Sequence, residues 1–517
     1  MIYIWLCPIV AAVVLYIYRA GYINSDRRAR LPVSGGNAST YHSLPQASRW
    51  PLGIDLLVLT LKAADELRLM EFFLDNFRKF GNTFQQVIGP NTSIFTIEPA
   101  NVQALLSNAK DWGVGFRRTV FFPLLGDGIF LQEGDAWKHS RDILRPHFYY
   151  RHYDDLNIYR PHVDSLLEAI ASDATAGQAA NVVDLEPLFF RLTLDVTTEF
   201  LFGESVLSQR PNSSVIRHDF EEAFDTGQLI SAKRLRFQKL HWLVERKRMR
   251  QACSVIHQFT DGVINRALTR SANDDKTSDK VPFLSTIAQY YPERDSLRGQ
   301  SINILTAGRD STATFLSWTF FHLVRYPAIM AKLRSEVSQV DETVAPLTRT
   351  NLLHLTYLQN VIREVLRLHP PVPLISRTAL RDTTLPTGGG PDGKSPILVP
   401  QGMSVLYSAY CIQRRTDLYG MDAEMFRPER WDEEPLRSRD QAHRGWTFLA
   451  FGGGPRTCLG MDFSLTEGAY AIVRILQRFP FIGLPADEEV YVTGQERQAV
   501  TISLKPADGC RVNLSKE

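Results

Sequence analysis

Apolar residues along this chain recur mostly three and four positions apart, the spacing of one face of an α-helix. Phe189, Leu192, Val196, Phe200 and Leu201 form one such series. From Gly299 to Val324 only Arg309 and Asp310 are charged. A helix from about Ser296 to Tyr326, ended by Pro327, is therefore expected to run buried through the body. Similar periodicity predicts helices over Leu352 to Leu368, stopped by Pro370 and Pro371, and over Leu459 to Phe479, stopped by Pro480. Strand-like runs are short: Ser93 to Ile97, Ile397 to Val399, Ser404 to Tyr407 and Thr501 to Leu504. The pattern predicts a mainly α body with small β-sheets.

The two ends of the chain differ. Ile2 to Tyr18, 17 residues, carry no charged side chain, and Arg19, Arg27, Arg28 and Arg30 follow. That length is at the short end of what spans a bilayer core. Basic residues after the apolar run, with none before it, favour an uncleaved anchor over a signal peptide and keep the body on the cytosolic side. The expected organisation is a transmembrane helix over 1–18, a basic and Pro/Gly-rich linker over 19–50 and one globular domain over 51–517. A polar loop is expected at 271–280.

Charge and cysteine content narrow the chemistry. With 58 basic and 56 acidic residues the formal charge is +2, which lacks the basic excess of a nucleic-acid binder. The five cysteines are scattered and form no C-x-x-C pair, so neither a disulfide framework nor a four-ligand zinc site is expected.

Phe451-Gly-Gly-Gly-Pro-Arg-Thr-Cys458-Leu-Gly460 is the most informative segment. Three consecutive glycines disfavour a helix, so Cys458 is expected where a loop enters one. A helix N-terminus favours a thiolate, which binds a metal or acts as a nucleophile. A lone cysteine is most often a buried inert side chain, but that reading leaves the glycines and Arg456 unexplained.

These residues, as F-x-x-G-x-R-x-C-x-G, resemble the haem-binding signature of the cytochrome P-450 family. The resemblance implies the P-450 fold and a haem, iron protoporphyrin IX, with Cys458 as axial ligand. It also implies Arg456 on a propionate, and Phe451, Gly454 and Gly460 among the cofactor-binding residues, the glycines letting the backbone approach the macrocycle. Other segments match in order. Glu364-Val-Leu-Arg367, whose charges share a helix face, and Arg430 in Pro428-Glu-Arg resemble the family's structural triad. Ala307-Gly-Arg-Asp310-Ser311-Thr312 resembles its oxygen-activation motif, which implies proton delivery by Asp310 and the next hydroxyl. The family's usual threonine is Ser311 here, and Thr312 is available to share its task. Trp137 and Arg141 resemble W-x-x-x-R, implying propionate contacts, and Arg377 falls where another such partner often stands.

Gly388 to Gly393 fits G-x-G-x-x-G, but Pro391 and Pro396 deny it a strand-turn-helix setting, and a loop is expected instead. The stretch Thr384 to Pro396 and the motif Ala307 to Asp310 resemble the fungal microsomal alkane and fatty-acid hydroxylase branch. The resemblance implies a monooxygenase of the endoplasmic reticulum membrane, supplied with electrons by NADPH-cytochrome P-450 reductase, that uses O2 to hydroxylate a lipophilic substrate near the end of an alkyl chain. Tailoring of a polyketide or terpenoid is the alternative. An oxygen-independent haem-thiolate isomerase and a non-catalytic haem binder are two further readings.

Overall fold

The computed structural model describes residues 44–515 apart from 90, 150–152, 177–180, 211–214, 274–282, 341–345, 434–445, 489, 491–493 and 495. The anchor expected over 1–18 lies outside the described residues, as does most of the linker. Among the described residues no helix is long and apolar enough to cross a membrane. Helices dominate and the sheets are small, as the periodicity predicts.

The body divides into two compact units whose segments alternate in sequence. One holds the chain up to Gly115 with Leu374–Ile412 and Gly453–Arg456, and the other holds Phe116–Pro373, Gln413–Gly452 and the chain from Thr457 onward.

The first unit is built on a sheet of β1 (Thr83–Ile88), β2 (Asn91–Thr96), β3 (Trp112–Gly113), β4 (Leu374–Ala379) and β5 (Ser404–Ser408), in the order β1-β2-β5-β4-β3. β2 and β5 run parallel, with Ser93 opposite Ser404, and the other pairs are antiparallel. Phe73 and Phe77, one turn apart on the helix Leu69–Phe80, pack on Phe95 and Phe84 of the sheet at ring distances of 5.6 and 5.0 Å. The expected strand at Ile397 is one arm of a hairpin, Thr383–Gly389 with Ser395–Val399. The Gly388–Gly393 stretch ends the first arm and forms the connecting loop of that hairpin, with no helix after it, as expected. Gly390 and Gly393 adopt φ of 79° and 68°, values that glycine reaches without strain.

The second unit carries the helices that matter for chemistry: α1 (Gly134–Leu144), α2 (Leu185–Phe202), α3 (Val215–Phe237), α4 (Arg294–Arg325), α5 (Thr356–Leu368) and α6 (Met461–Arg478). Asp184 caps α2 by accepting from the Glu186 amide, and Gly203 ends it with φ 66°. α5 starts later than the periodicity suggests, because a separate short helix, Arg349–His354, takes the first residues of the run. α4 is buried along most of its length, with Leu316, Trp318 and Phe320 fully enclosed and the Phe320 ring tilted 5.6 Å from Phe189 of α2. The expected strand Thr501–Leu504 is not formed. Strands Gln498–Val500 and Leu504–Pro506 pair across a turn closed by the bond from Thr501 N to Ser503 O, so the β-branched run sits on both sides of a bend.

Candidate active site

The glycine-rich segment folds as a loop because Cys458 N donates to Phe451 O at 3.0 Å, and Gly460 caps the start of α6. Gly454 has φ 65°, and a Cβ there would stand 2.3 Å from the Leu106 carbonyl, so only glycine fits both conformation and space. Of the described cysteines, Cys253, Cys411 and Cys510 are buried and Cys458 alone is exposed. Burial pushes the thiol up, and the Gly460 amide and the Arg141 charge offset this only in part.

Arg141 on α1 donates from Nη1 to Thr457 O at 2.9 Å, one residue before the thiol. Trp137, one turn earlier, is buried with its ring 5.8 Å from that guanidinium. Trp137, Arg141, Phe451, Cys458 and Gly460 belong to the second unit, and Arg377, Gly454 and Arg456 to the first. Arg377 lies on β4, buried, with Nη1 donating to Ser376 O. No group of three or more His, Cys, Asp or Glu able to hold a metal occurs among the described residues. One accessible thiol at a helix start, with an amide aimed at the sulfur and a guanidinium beside it, fits an iron held by a macrocycle and a single protein ligand.

Glu364, Arg367 and Arg430 meet as expected and are 0–1% exposed. Arg367 donates to both carboxylate oxygens at 2.9 and 2.8 Å, and Arg430 Nε donates at 2.8 Å. Trp431 Nε1 at 3.0 Å and the Arg427 amide at 3.0 Å complete the set, two partners that the E-x-x-R spacing does not reveal. Burial alone would raise the Glu364 pKa, but Arg367 and Arg430 hold it below the usual range. The spare guanidinium nitrogens donate to the carbonyls of Gln413, Tyr419, Asp422, Ala423 and Met425, so the buried charge fixes the path of that whole loop.

The motif residues of α4 point three ways. Arg309 and Asp310 form a buried pair: Arg309 Nη1 donates to Asp310 Oδ1 at 2.9 Å and to Asp225 of α3 at 3.0 Å, its long side chain spanning the angular offset between neighbours. Gln228, one turn after Asp225, holds the other Asp310 oxygen. Burial pushes the Asp310 carboxyl up against the opposing pull of Arg309. Ser311 Oγ donates to Ala307 O at 2.6 Å and stays half-exposed. Thr312 is buried and donates to Ser464 Oγ of α6 at 3.0 Å, away from the other two. Gly308 answers to packing. A Cβ there would meet Thr197 Oγ1 at 2.4 Å, so the glycine lets α2 and α4 approach closely, and α4 is continuous through it. Asp225 and Gln228 have no local sequence signal, being more than 80 residues from Asp310.

A sequence profile described as Cytochrome P-450 matches residues 46–507. The chain is 38% identical to a Cytochrome P-450 of Arthroderma benhamiae over 91% of each chain. It is 38% identical to Cytochrome P-450 monooxygenase g430 of a Fusarium species over 91% of this chain and 84% of the relative. It is also 40% identical to Cytochrome P-450 52E1 of Candida apicola over 83% and 84%.

Proposed function

The chain belongs to the cytochrome P-450 family, and we propose that it is a membrane-bound haem-thiolate monooxygenase that hydroxylates the long alkyl chain of a fatty acid or alkane at or near its end. The observation that carries the chemistry is Cys458, the one accessible thiol among the described cysteines, at the mouth of α6. The substrate class rests on the resemblance of Thr384 to Pro396 and of Ala307 to Asp310 to the fungal alkane and fatty-acid hydroxylase branch, with relatives such as Cytochrome P-450 52E1 alongside.

In this reading Cys458 is the axial ligand. By resemblance, Trp137, Arg141, Arg377 and Arg456 would be the propionate partners, and Phe451, Gly454 and Gly460 the residues that let the backbone approach the haem. A bound haem supplies the activation of molecular oxygen for insertion into a C–H bond. The protein supplies ligand, proton and fit. Glu364, Arg367 and Arg430 keep the Gln413–Met425 loop in place. Asp310, buried and with its pKa raised, is the acid that feeds protons inward, and it does so on releasing Arg309 or Gln228. Ser311, half-exposed, hands the proton on, with its own hydrogen bond to Ala307 fixing its rotamer. Electrons come from a redox partner, which we assign as NADPH-cytochrome P-450 reductase. The anchor over 1–18 places the chain in the endoplasmic reticulum membrane as a single-pass protein with its body in the cytosol.

Incubating the full-length protein with reductase, NADPH and a panel of fatty acids, alkanes and polyketide-like lipids tests the substrate class. Terminal or near-terminal hydroxy products from the first two support it. Turnover of the polyketide-like members alone refutes it. Recovery of the full-length protein in the soluble fraction refutes the anchor.

A further inference from the structure

A cleft of about 420 Å³ that shares no residue with the site described above opens between the end of α4, the helix Pro327–Val337 and residues 482–484, which follow α6. Its size is within the range of small-molecule sites, about 300–1,000 Å³. The lining is mostly apolar, with Leu323, Val324 and Met330 buried in it. Pro327, Met330, Ala331 and Arg334 all line it, so one face of the short helix forms a wall. No acidic side chain lines the cleft, but two cations do, and they differ. Arg325 is engaged by Glu488 at 3.1 Å. Arg334 is half-buried and donates to the carbonyls of Leu476 and Phe479 at 2.7 and 2.8 Å.

Those two carbonyls are at the end of α6, where the helix dipole suits a cation. They are neutral acceptors and take two of the five guanidinium N–H donors. Among the described residues no carboxylate pairs with Arg334, and burial pulls its pKa down with no neighbouring acid to oppose the shift. A guanidinium with donors to spare, set in an apolar cleft, complements a ligand that has a carboxylate head and an alkyl tail. From Arg334 back to Pro327 the helix rises about 10 Å, the reach of a medium-length chain. We propose that the cleft binds a free fatty acid as its anion, with the carboxylate on Arg334 and the chain laid along Met330 toward Val324 and Pro327. A fatty acid held here is a second molecule beside any substrate, and the site stands on the chemistry of the cleft rather than on the haem-thiolate reading.

Photolysis of the full-length holoprotein with dodecanoic acid carrying a diazirine near its methyl end, followed by mass-spectrometric mapping of the labelled peptides, tests this. Label should fall on the segment Leu323–Ala331. Unlabelled dodecanoate should displace it, and dodecanol, which has the chain without the charge, should do so several-fold less well. Arg334→Gln should lose the label at this segment several-fold. Ala331→Trp fills the cleft from an exposed position and should lose it as well. Label confined to other segments, or equal displacement by dodecanol, overturns the site. Label indifferent to Arg334→Gln overturns the role of the guanidinium. If Arg334→Gln does not fold because α6 has lost its cap, Ala331→Trp and the dodecanol comparison decide. None of these readouts needs reductase or turnover, so failure here is distinct from failure of the hydroxylase reading.

Discussion

Replacing Glu364 with alanine removes the anion on which five hydrogen bonds converge, two from Arg367 and one each from Arg430, Trp431 and the Arg427 amide. Arg367, at 0% exposure, is left without a counter-ion, and Arg430, at 1%, keeps only Asp422 at 3.2 Å. Deleting one partner of a buried pair costs about 3–5 kcal/mol, because the remaining charge has lost both water and its anion. A folded domain holds only about 5–15 kcal/mol in total, so the loss is a large share of it. The exposed pair Lys332–Glu429 is the control, with side chains 52% and 39% accessible. Lys332→Ala should cost no more than about 1 kcal/mol. Urea titration followed by circular dichroism, together with haem content of the purified protein, measures both effects. Glu364→Ala should lose most of its haem as the loop carrying the Gln413 to Met425 carbonyls is released. Glu364→Gln keeps the volume and removes the charge, and should be nearly as damaging. A Glu364→Ala protein with full haem content and stability within about 1 kcal/mol of wild type would refute the brace. Full recovery in Glu364→Gln would show that shape rather than charge holds the loop.

Three further outcomes are expected. His322 and His162 are buried and neutral, with pKa values lowered by burial to about 3 and about 4. The unfolded chain protonates them near 6.5, so their stabilisation is complete above that value and is lost as pH falls below it, by about 2 kcal/mol per histidine at pH 5. His322→Phe should therefore flatten the pH dependence of urea unfolding, and an unchanged slope contradicts this. Gly308→Ala gains about 1 kcal/mol of helix propensity but places a Cβ 2.4 Å from Thr197 Oγ1, and overpacking costs about 1–3 kcal/mol. A net loss of stability, partly recovered by Thr197→Ala, is expected, and a stabilised Gly308→Ala protein would rule out the close crossing. Ser311→Ala should bind substrate and consume NADPH while diverting oxygen to peroxide, so product per NADPH falls several-fold. Thr312→Ala should fall less, since its hydroxyl is committed to Ser464. Unchanged coupling in both variants would remove Ser311 from the relay.

The long apolar run of α4 and the E-x-x-R pair were legible in the sequence because both depend on helical spacing, which brings residues three and four apart onto one face. Contacts across the fold were not. Asp225 and Gln228 reach Asp310 from another helix, and Trp431 joins Glu364 only through the turn at Pro428–Asp432. That Arg309 would fold back onto its neighbour Asp310 is also not readable from spacing, because backbone geometry separates adjacent side chains and only the length of the guanidinium side chain closes the gap. Gly308 is a packing requirement set by Thr197, a residue more than 100 positions away, which no local pattern announces. The Thr501–Leu504 strand failed because residue type favours extension without saying where the chain must turn.

The reduced, carbon monoxide-bound spectrum of the purified full-length chain, compared with that of Cys458→Ser, tests the central claim most directly. Wild type should give the thiolate-ligated band, and Cys458→Ser should lose it, because no other described cysteine is accessible. Persistence of the thiolate-type band in Cys458→Ser would contradict the assignment of the ligand and, with it, the site built around α6.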